Sequence, residues 1–385
     1  MSMTKPTAIA EAFPPGEFIK DEMEERGWTQ TDLAAIIDRP VQVINELIAG
    51  KRSVTIDTAR ELGEAFGTGP EFWLNLETTY QLWKSQRAAA TPDTIARRAR
   101  LYIKGPIKEM QRRGWLEKTE NLDVLEPQVI RFFGLKSMDD QPQFFAHAAR
   151  KGTSYESVTL SQWSWLFRAR QMAEAVKPVA AFTPTRFEAM LTKLRTFLES
   201  PEEVRHIPRR LSEAGVRLVL IEPLPQTRID GASFWLTPKD PVVALSLRYD
   251  RIDALWFTLG HELGHLRDDG KAGAGPSIDI DLVGEKATRT TDKPPEERRA
   301  DEFAMNFLIA KEELSNFIKR VRPLYSKQKI AGFAGRLHVH PGIVVGQLQH
   351  RREITYAHSR EMLVKVRHLI ASSGLTDGWG HRPQL

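Results

Sequence analysis

The sequence predicts a mostly α protein, α+β overall. It has an N-terminal all-α helix-turn-helix bundle, a helical middle segment and a C-terminal α+β domain with a small sheet. Three observations carry this reading. Short apolar-periodic stretches with cap and turn residues fill the first 85 residues. Three short runs rich in β-branched and aromatic residues follow residue 215. An apolar run, Ala254–Leu259, then leads into His261-Glu262-Leu263-Gly264-His265, which reads as a buried helix.

The chain has 385 residues, long for one hydrophobic core, so two or three domains are expected. We place them at 1–85, 86–205, 206–350 and, as a C-terminal helix and disordered tail, 351–385. Charged residues make up 27% and hydrophobic residues 41%, as in ordinary water-exposed globular proteins. Cysteine is absent, which excludes disulfides, thiol catalysis and thiolate metal sites. No apolar run approaches membrane-spanning length and the N-terminus has no signal-peptide core, so a cytoplasmic protein without a membrane partner is expected. Residues 1–85 hold 8 Lys+Arg and 14 Asp+Glu, a net of −6; the whole chain is +5, which leaves +11 for the remainder. Seven basic residues and one acidic one lie between Arg97 and Arg113. Such a run is more often a solvated face or a partner surface than a nucleic-acid contact.

In the N-terminal segment, Glu17 to Arg26 reads as a helix ended by Gly27. A second begins after the N-cap Thr29, with Asp32 at the capping-box position. Asp38-Arg39-Pro40 makes a turn, and a third helix runs from Val41 to Ala49. A fourth starts at Ile56 and an aromatic-rich fifth at Pro70. Leu33, Ala34, Ile37, Ile44, Leu47 and Ile48 are the expected core. Trp28-Thr29-Gln30, Ile44 through Arg52, Ala59-Arg60-Glu61-Leu62 and Phe72 through Leu76 resemble the XRE-type helix-turn-helix, and within it the HigA-like antitoxin domain. That resemblance implies double-stranded operator DNA as partner and a homodimer. The third helix would enter the major groove, with Gln42 and Asn45 facing adenine edges. Gln30, Arg39, Lys51 and Arg52 would hold phosphates. The negative charge of the segment weakens non-specific affinity. A four-helix protein-binding module without DNA affinity is the other reading of these helices.

In the middle, Ala88–Pro92 reads as a linker. Trp115, Phe132, Phe133, Phe144, Phe145, Trp163, Trp165 and Phe167 fall at helical spacings, the mark of a core.

Val216–Ile221, Ala232–Leu236 and Val242–Leu247 read as strands above the helix that carries His261. On that helix His261 and His265, four residues apart, share a face and can grip one Zn²⁺, with Glu262 placed to reach a bound water. A third ligand, a carboxylate from a second helix, is assigned to Glu297. Asp301, one turn later, can accept the free ring N–H of a ligand histidine. His261 through His265, followed by Glu297-x-x-Ala300-Asp301-x-Phe303-Ala304, resembles the ImmA/IrrE family of zinc metallopeptidases; Arg228–Trp235 and Val242–Leu247 resemble its strand pair. The resemblance covers about residues 205–350. It implies a zincin-like fold, a zinc metalloendopeptidase activity, His261, His265 and Glu297 as ligands and Glu262 as general base.

In such sites an exposed strand edge beside the metal helix can bind an extended peptide, and Ala232–Leu236 is the expected edge. Tyr249, His338 and His340 are candidates for oxyanion stabilisation. Pro341–His350 reads as a helix, and Ser372–Leu385, with its glycines, as a frayed tail. Two functions remain open. One is a DNA-binding regulator whose zinc peptidase cleaves a partner or repressor protein. The other is a HigA-like antitoxin or regulator whose zinc domain senses or binds a partner, such as a cognate toxin, without turnover.

Overall fold

The computed structural model describes residues 12–88, 94–144, 158–268, 277–285 and 293–381. The expected linker at 88–92 falls almost wholly outside them, as does Phe145. The chain divides into two units, 1–96 and 97–385.

Among the described residues the first unit holds five complete helices: α1 (Pro15–Arg26), α2 (Gln30–Ile36), α3 (Val41–Ile48), α4 (Ile56–Phe66) and α5 (Pro70–Ala88). Thr29 caps α2 in a full capping box with Asp32, as the sequence predicts. Gly27 and Gly67 end α1 and α4 in the left-handed conformation. Ile19, Leu33, Ile44, Leu62 and Trp73 are completely buried and form the centre of the bundle. Of the expected core, Leu33, Ala34, Ile37, Ile44 and Leu47 are buried and Ile48 partly so. The turn between α2 and α3 holds Asp38 at φ 54°, a conformation Asp tolerates.

In the second unit α6 (Thr94–Lys104), α7 (Ile107–Arg112), α8 (Leu122–Phe133), α9 (Leu160–Ala175), α10 (Pro184–Arg195) and α11 (Ile207–Glu213) lead to β1 (Arg217–Ile221), β2 (Ile229–Trp235) and β3 (Pro241–Leu245). Next come α12 (Ile252–Asp268), β4 (Ser277–Ile280), α13 (Pro295–Leu308), α14 (Lys311–Val321), α15 (Lys327–Arg336), α16 (Pro341–His350), α17 (Arg367–Ala371) and β5 (Leu375–Asp377). The strands form one sheet in the order β4-β2-β3-β1-β5. β1 is parallel to β3 and β5; β2 is antiparallel to β3 and β4.

Alternate residues of the strands enter two different cores. Leu218, Leu220, Val243 and Leu245 pack with α10 to α12 and the C-terminal helices. Val219, Ile221, Phe234 and Val242 pack with the α6–α9 segment, including Phe132, Phe133, Phe144, Trp165 and Phe167. A sheet covered on both faces needs apolar residues at every position, which is why β1 and β3 read as unbroken apolar runs. The α6–α9 part of the segment expected as a helical middle domain therefore supplies one of two helical layers over the sheet, with the aromatic stripe as that layer's core, while α10 joins the opposite layer.

Two expectations are corrected. β2 is not an edge: β4 pairs along it from Ile229↔Ile280 to Ser233↔Ser277 and takes the outer position. The C-terminal tail is not frayed through its described residues. β5 pairs with β1 from Val219↔Leu375 to Ile221↔Asp377, and Asp377 accepts hydrogen bonds from Trp115 and Arg168. Backbone pairing and a buried carboxylate hold this segment despite its glycines; residues 382–385 lie outside the described part.

The basic run from Arg97 to Arg113 is largely neutralised within the unit. Arg97 pairs with Asp123 and Glu126, Arg112 and Arg113 with Glu109, and Arg113 also with Glu222. Lys104 is buried and donates to the carbonyl of Asp140.

Candidate metal centre and candidate DNA-reading face

The candidate metal centre is built where α12 and α13 touch. A Cβ added at Gly260 would lie 3.2 Å from Ala304 Cα, and one at Gly264 would lie 3.1 Å from Ala300 Cα. Two glycines one turn apart thus face two alanines one turn apart, and the helices approach closely enough for their polar residues to meet. His261 Nε2 lies 3.2 Å from Glu297 Oε2 and 3.0 Å from His265 Nε2. His265 Nε2 lies 3.4 Å from Glu297 Oε1. On the far side of the His261 ring, Nδ1 is 2.8 Å from Asp301 Oδ1, and Lys293 holds the same carboxylate at 2.9 Å. The structure brings together all five residues assigned from the sequence to this site or its immediate support: His261, Glu262, His265, Glu297 and Asp301.

It adds one that sequence reasoning missed. Asp279, in β4 and only 4% exposed, places Oδ1 3.3 Å from His261 Nε2 and Oδ2 3.7 Å from His265 Nε2. Donor atoms of His261, His265, Asp279 and Glu297 all lie within 4.8 Å of one another. Tetrahedral Zn²⁺ with bonds of 2.0–2.1 Å holds its donors roughly 3.3 Å apart, so this spacing fits the ion. Unsatisfied buried atoms support the same fit. Asp279 Oδ2 and both oxygens of Glu262 are buried without a hydrogen-bond partner. Such atoms are costly unless a cation or an ordered water meets them.

Glu262 is completely buried, under β2. A Cβ at Gly231 would stand 2.3 Å from Glu262 Oε1, so the carboxylate occupies space that only glycine leaves free. Burial, reinforced by the neighbouring charge of Asp279, pushes the Glu262 carboxyl well above its usual range. Burial opposes charge on His261 as well, yet Asp279, Asp301 and Glu297 outweigh it and hold the imidazole well above its ordinary value. Burial also works against ionised Glu297, but hydrogen bonds from His261 and His265 bring it far below the usual carboxylate range. This concentration of opposed charges is what a cation site requires.

The three oxyanion candidates have other surroundings. His340 caps α16, its Nδ1 accepting from Gly342 N. His338 is exposed beside Glu199. Tyr249 lies against the guanidinium groups of Arg248 and Arg251.

In the first unit Gln30, Arg39, Gln42, Asn45, Lys51 and Arg52 are all exposed, and Gln42 and Asn45 project from α3. Three of them are braced by carboxylates. Arg39 makes a two-pronged pair with Glu61 at 2.7 and 3.0 Å. Gln42 and Arg52 both donate to Glu46, at 3.1 and 2.9 Å.

The two units define a class: a helix-turn-helix bundle joined to an α/β/α unit with a buried His-Glu-x-x-His cluster. Residues 19–73 match the helix-turn-helix domain family, and residues 212–351 match the IrrE N-terminal-like domain family. An uncharacterised HTH-type transcriptional regulator of Haemophilus influenzae is 33% identical over 84 residues, covering 22% of this chain and 73% of that protein. An addiction module antidote protein of the HigA family from Coxiella burnetii is 31% identical, covering 21% of this chain and 98% of that one, with a TM-score of 0.20. The antitoxin HigA of Pseudomonas aeruginosa, solved with its higBA promoter, is 29% identical over 20% of this chain and 87% of that one, also at a TM-score of 0.20. The chain belongs to the XRE-type helix-turn-helix family through its first unit and carries an IrrE/ImmA-like domain in its second. Among the described residues no helix is long and apolar enough to cross a membrane.

Proposed function

We propose that this chain is a DNA-binding transcriptional regulator whose second unit is a zinc-dependent metallopeptidase acting on a partner or repressor protein. The observation that carries the hydrolytic half is Glu262, fully buried with both carboxylate oxygens unpartnered, one residue from His261. A purely structural ion needs His261, His265 and Glu297 but no base at this position. His261, His265 and Glu297 would hold a zinc ion, which would supply Lewis acidity toward water and a scissile carbonyl. Glu262 would act as the general base and acid, holding a proton on its carboxylate between the attacking water and the leaving amine. Burial, reinforced by the charge of Asp279, favours the protonated carboxyl of Glu262. Asp301 fixes the orientation of the His261 ring, and Lys293 in turn holds Asp301.

In the first unit α3 lies in the major groove, with Gln42 and Asn45 reading base edges. Gln30, Arg39, Lys51 and Arg52 clasp phosphates, and two copies sit on paired half-sites. The exposure of all six side chains supports this reading.

Metal analysis of the purified protein is expected to give about one zinc per chain, falling sharply in His261→Ala. Glu262→Gln is expected to keep the metal and lose cleavage. A Glu262→Gln strain that regulates its targets as the wild type does rules the peptidase out. One observation favours the second reading, an antitoxin or regulator whose zinc domain binds a partner without turnover: Asp279 offers a fourth ligand, a second carboxylate, to an ion that, in a hydrolase, keeps a position for water.

A further inference from the structure

We propose that Asp279 is a fourth protein ligand of the bound metal, and that β4 carries it in the strand position beside β2 that a substrate peptide would occupy, so that the chain closes its own metal site. This inference rests on the metallopeptidase reading.

The geometry of β4 is the first support. β4 lies antiparallel to β2, with Gly231↔Asp279 and Ser233↔Ser277 as partners. Alternate strand residues share a face, so Ser277 and Asp279 point the same way. Both reach the cluster. Ser277 Oγ is 3.4 Å from His265 Nε2 and 3.4 Å from Glu297 Oε1, while Asp279 contacts both imidazoles. An extended segment added to a sheet edge, with alternate side chains directed into a site, is how strand addition captures a peptide. Here the added strand is the chain's own.

Coordination is the second. Three protein ligands leave zinc one position for water, whereas four protein ligands make a closed site. His261, His265, Glu297 and Asp279 supply four, all within mutual reach. Asp279 also stands against Glu262, the residue that would face a water at this site.

Anchoring is the third. Directly after β4, Leu282 N donates to Asp230 Oδ2 at 2.7 Å, and Arg248 bridges Asp230 and Asp281. This clasp ties the strand down two and three residues beyond Asp279. Turnover then requires β4 to leave β2, which makes displacement of this strand the step at which a partner or signal acts.

Cobalt substitution tests the inference without relying on activity. Purified full-length protein is loaded with Co²⁺ and titrated with acetohydroxamate while the visible spectrum is followed. The wild-type spectrum is expected to resist the ligand. Asp279→Ala is expected to shift and to bind acetohydroxamate roughly ten-fold or more tightly than the wild type, because a coordination position has opened. Asp279→Asn, which keeps the side-chain shape, should open the site in the same way and guards against misfolding of the alanine variant. Equal acetohydroxamate binding by wild type and both variants overturns the closed site while leaving the metal centre intact. Cobalt uptake that persists unchanged in His261→Ala overturns the metallopeptidase reading, and this inference with it.

Discussion

Asp301 Oδ1 lies 2.8 Å from His261 Nδ1, and both side chains are completely shielded from solvent. The contact joins α13 to α12 behind Nε2, the nitrogen that faces Glu297, so it fixes which ring nitrogen carries the proton. A carboxylate in this position makes the opposite nitrogen a better ligand. Asp301→Ala is therefore expected to lower zinc affinity by about 10–100-fold, measured by competition with a chromophoric chelator, without removing a ligand. Unchanged affinity would show that the contact only packs the helices.

The seam between the same two helices makes a second prediction. Gly264→Val pushes a branched side chain into the backbone of Ala300 and is expected to cost about 1–3 kcal/mol in urea denaturation. It should also weaken metal binding by spreading His265 from Glu297. Gly332→Ala, in α15 with nothing within 4 Å of the added Cβ, is the control. There the gain in helix propensity should stabilise the protein by about 0.5–1 kcal/mol.

On the first unit, Glu61 holds the Arg39 guanidinium that we propose meets a DNA phosphate. Arg39→Ala and Asn45→Ala are expected to weaken operator binding in a gel shift, the second with loss of discrimination at one base pair worth about 1–3 kcal/mol. Glu61→Gln should strengthen binding by releasing the guanidinium and removing a charge that repels the duplex. No change in any of the three would place the DNA-reading surface elsewhere.

Asp230 is the centre of the clasp behind β4. Burial raises its pKa to about 6, against the pull of Arg248. The sign follows from linkage. A carboxyl with a raised pKa in the folded state contributes stability that is full below about 3.9 and is lost as pH rises through about 6. Carbon NMR of the carboxyl should show a midpoint near 6 in wild type, moving higher in Arg248→Met. A midpoint near 4 would mean the side chain is solvated and the clasp open.

Local spacing explains what the sequence revealed. His261, Glu262 and His265 are bound to each other by helix periodicity, and Glu297 and Asp301 by the same rule on a second helix. The capping box at Thr29 and the apolar runs of β1 and β3 are equally local. Asp279 is not. Its helix partners are distant in the chain, β4 is four residues long, and a lone aspartate in a short strand has no spacing that marks it as a ligand. The same limit produced the wrong edge: the pattern of β2 shows which residues face which layer, but not whether another strand lies beyond. By sequence β5 reads as frayed because Gly374, Gly378 and Gly380 surround it; its order comes from β1 and from Arg168 and Trp115, which are remote in sequence.

β5 also sets the order in which the second unit can mature. β1 is made long before the residues that cover its outer side, so a growing polypeptide carries an apolar strand with one bare flank until Leu375–Asp377 arrives. Uncovered strands of this kind recruit other copies, and pairings between segments far apart in a chain form slowly. A proteolytic cut before Leu375 would return the protein to that condition, turning a small C-terminal clip into a trigger for aggregation and clearance.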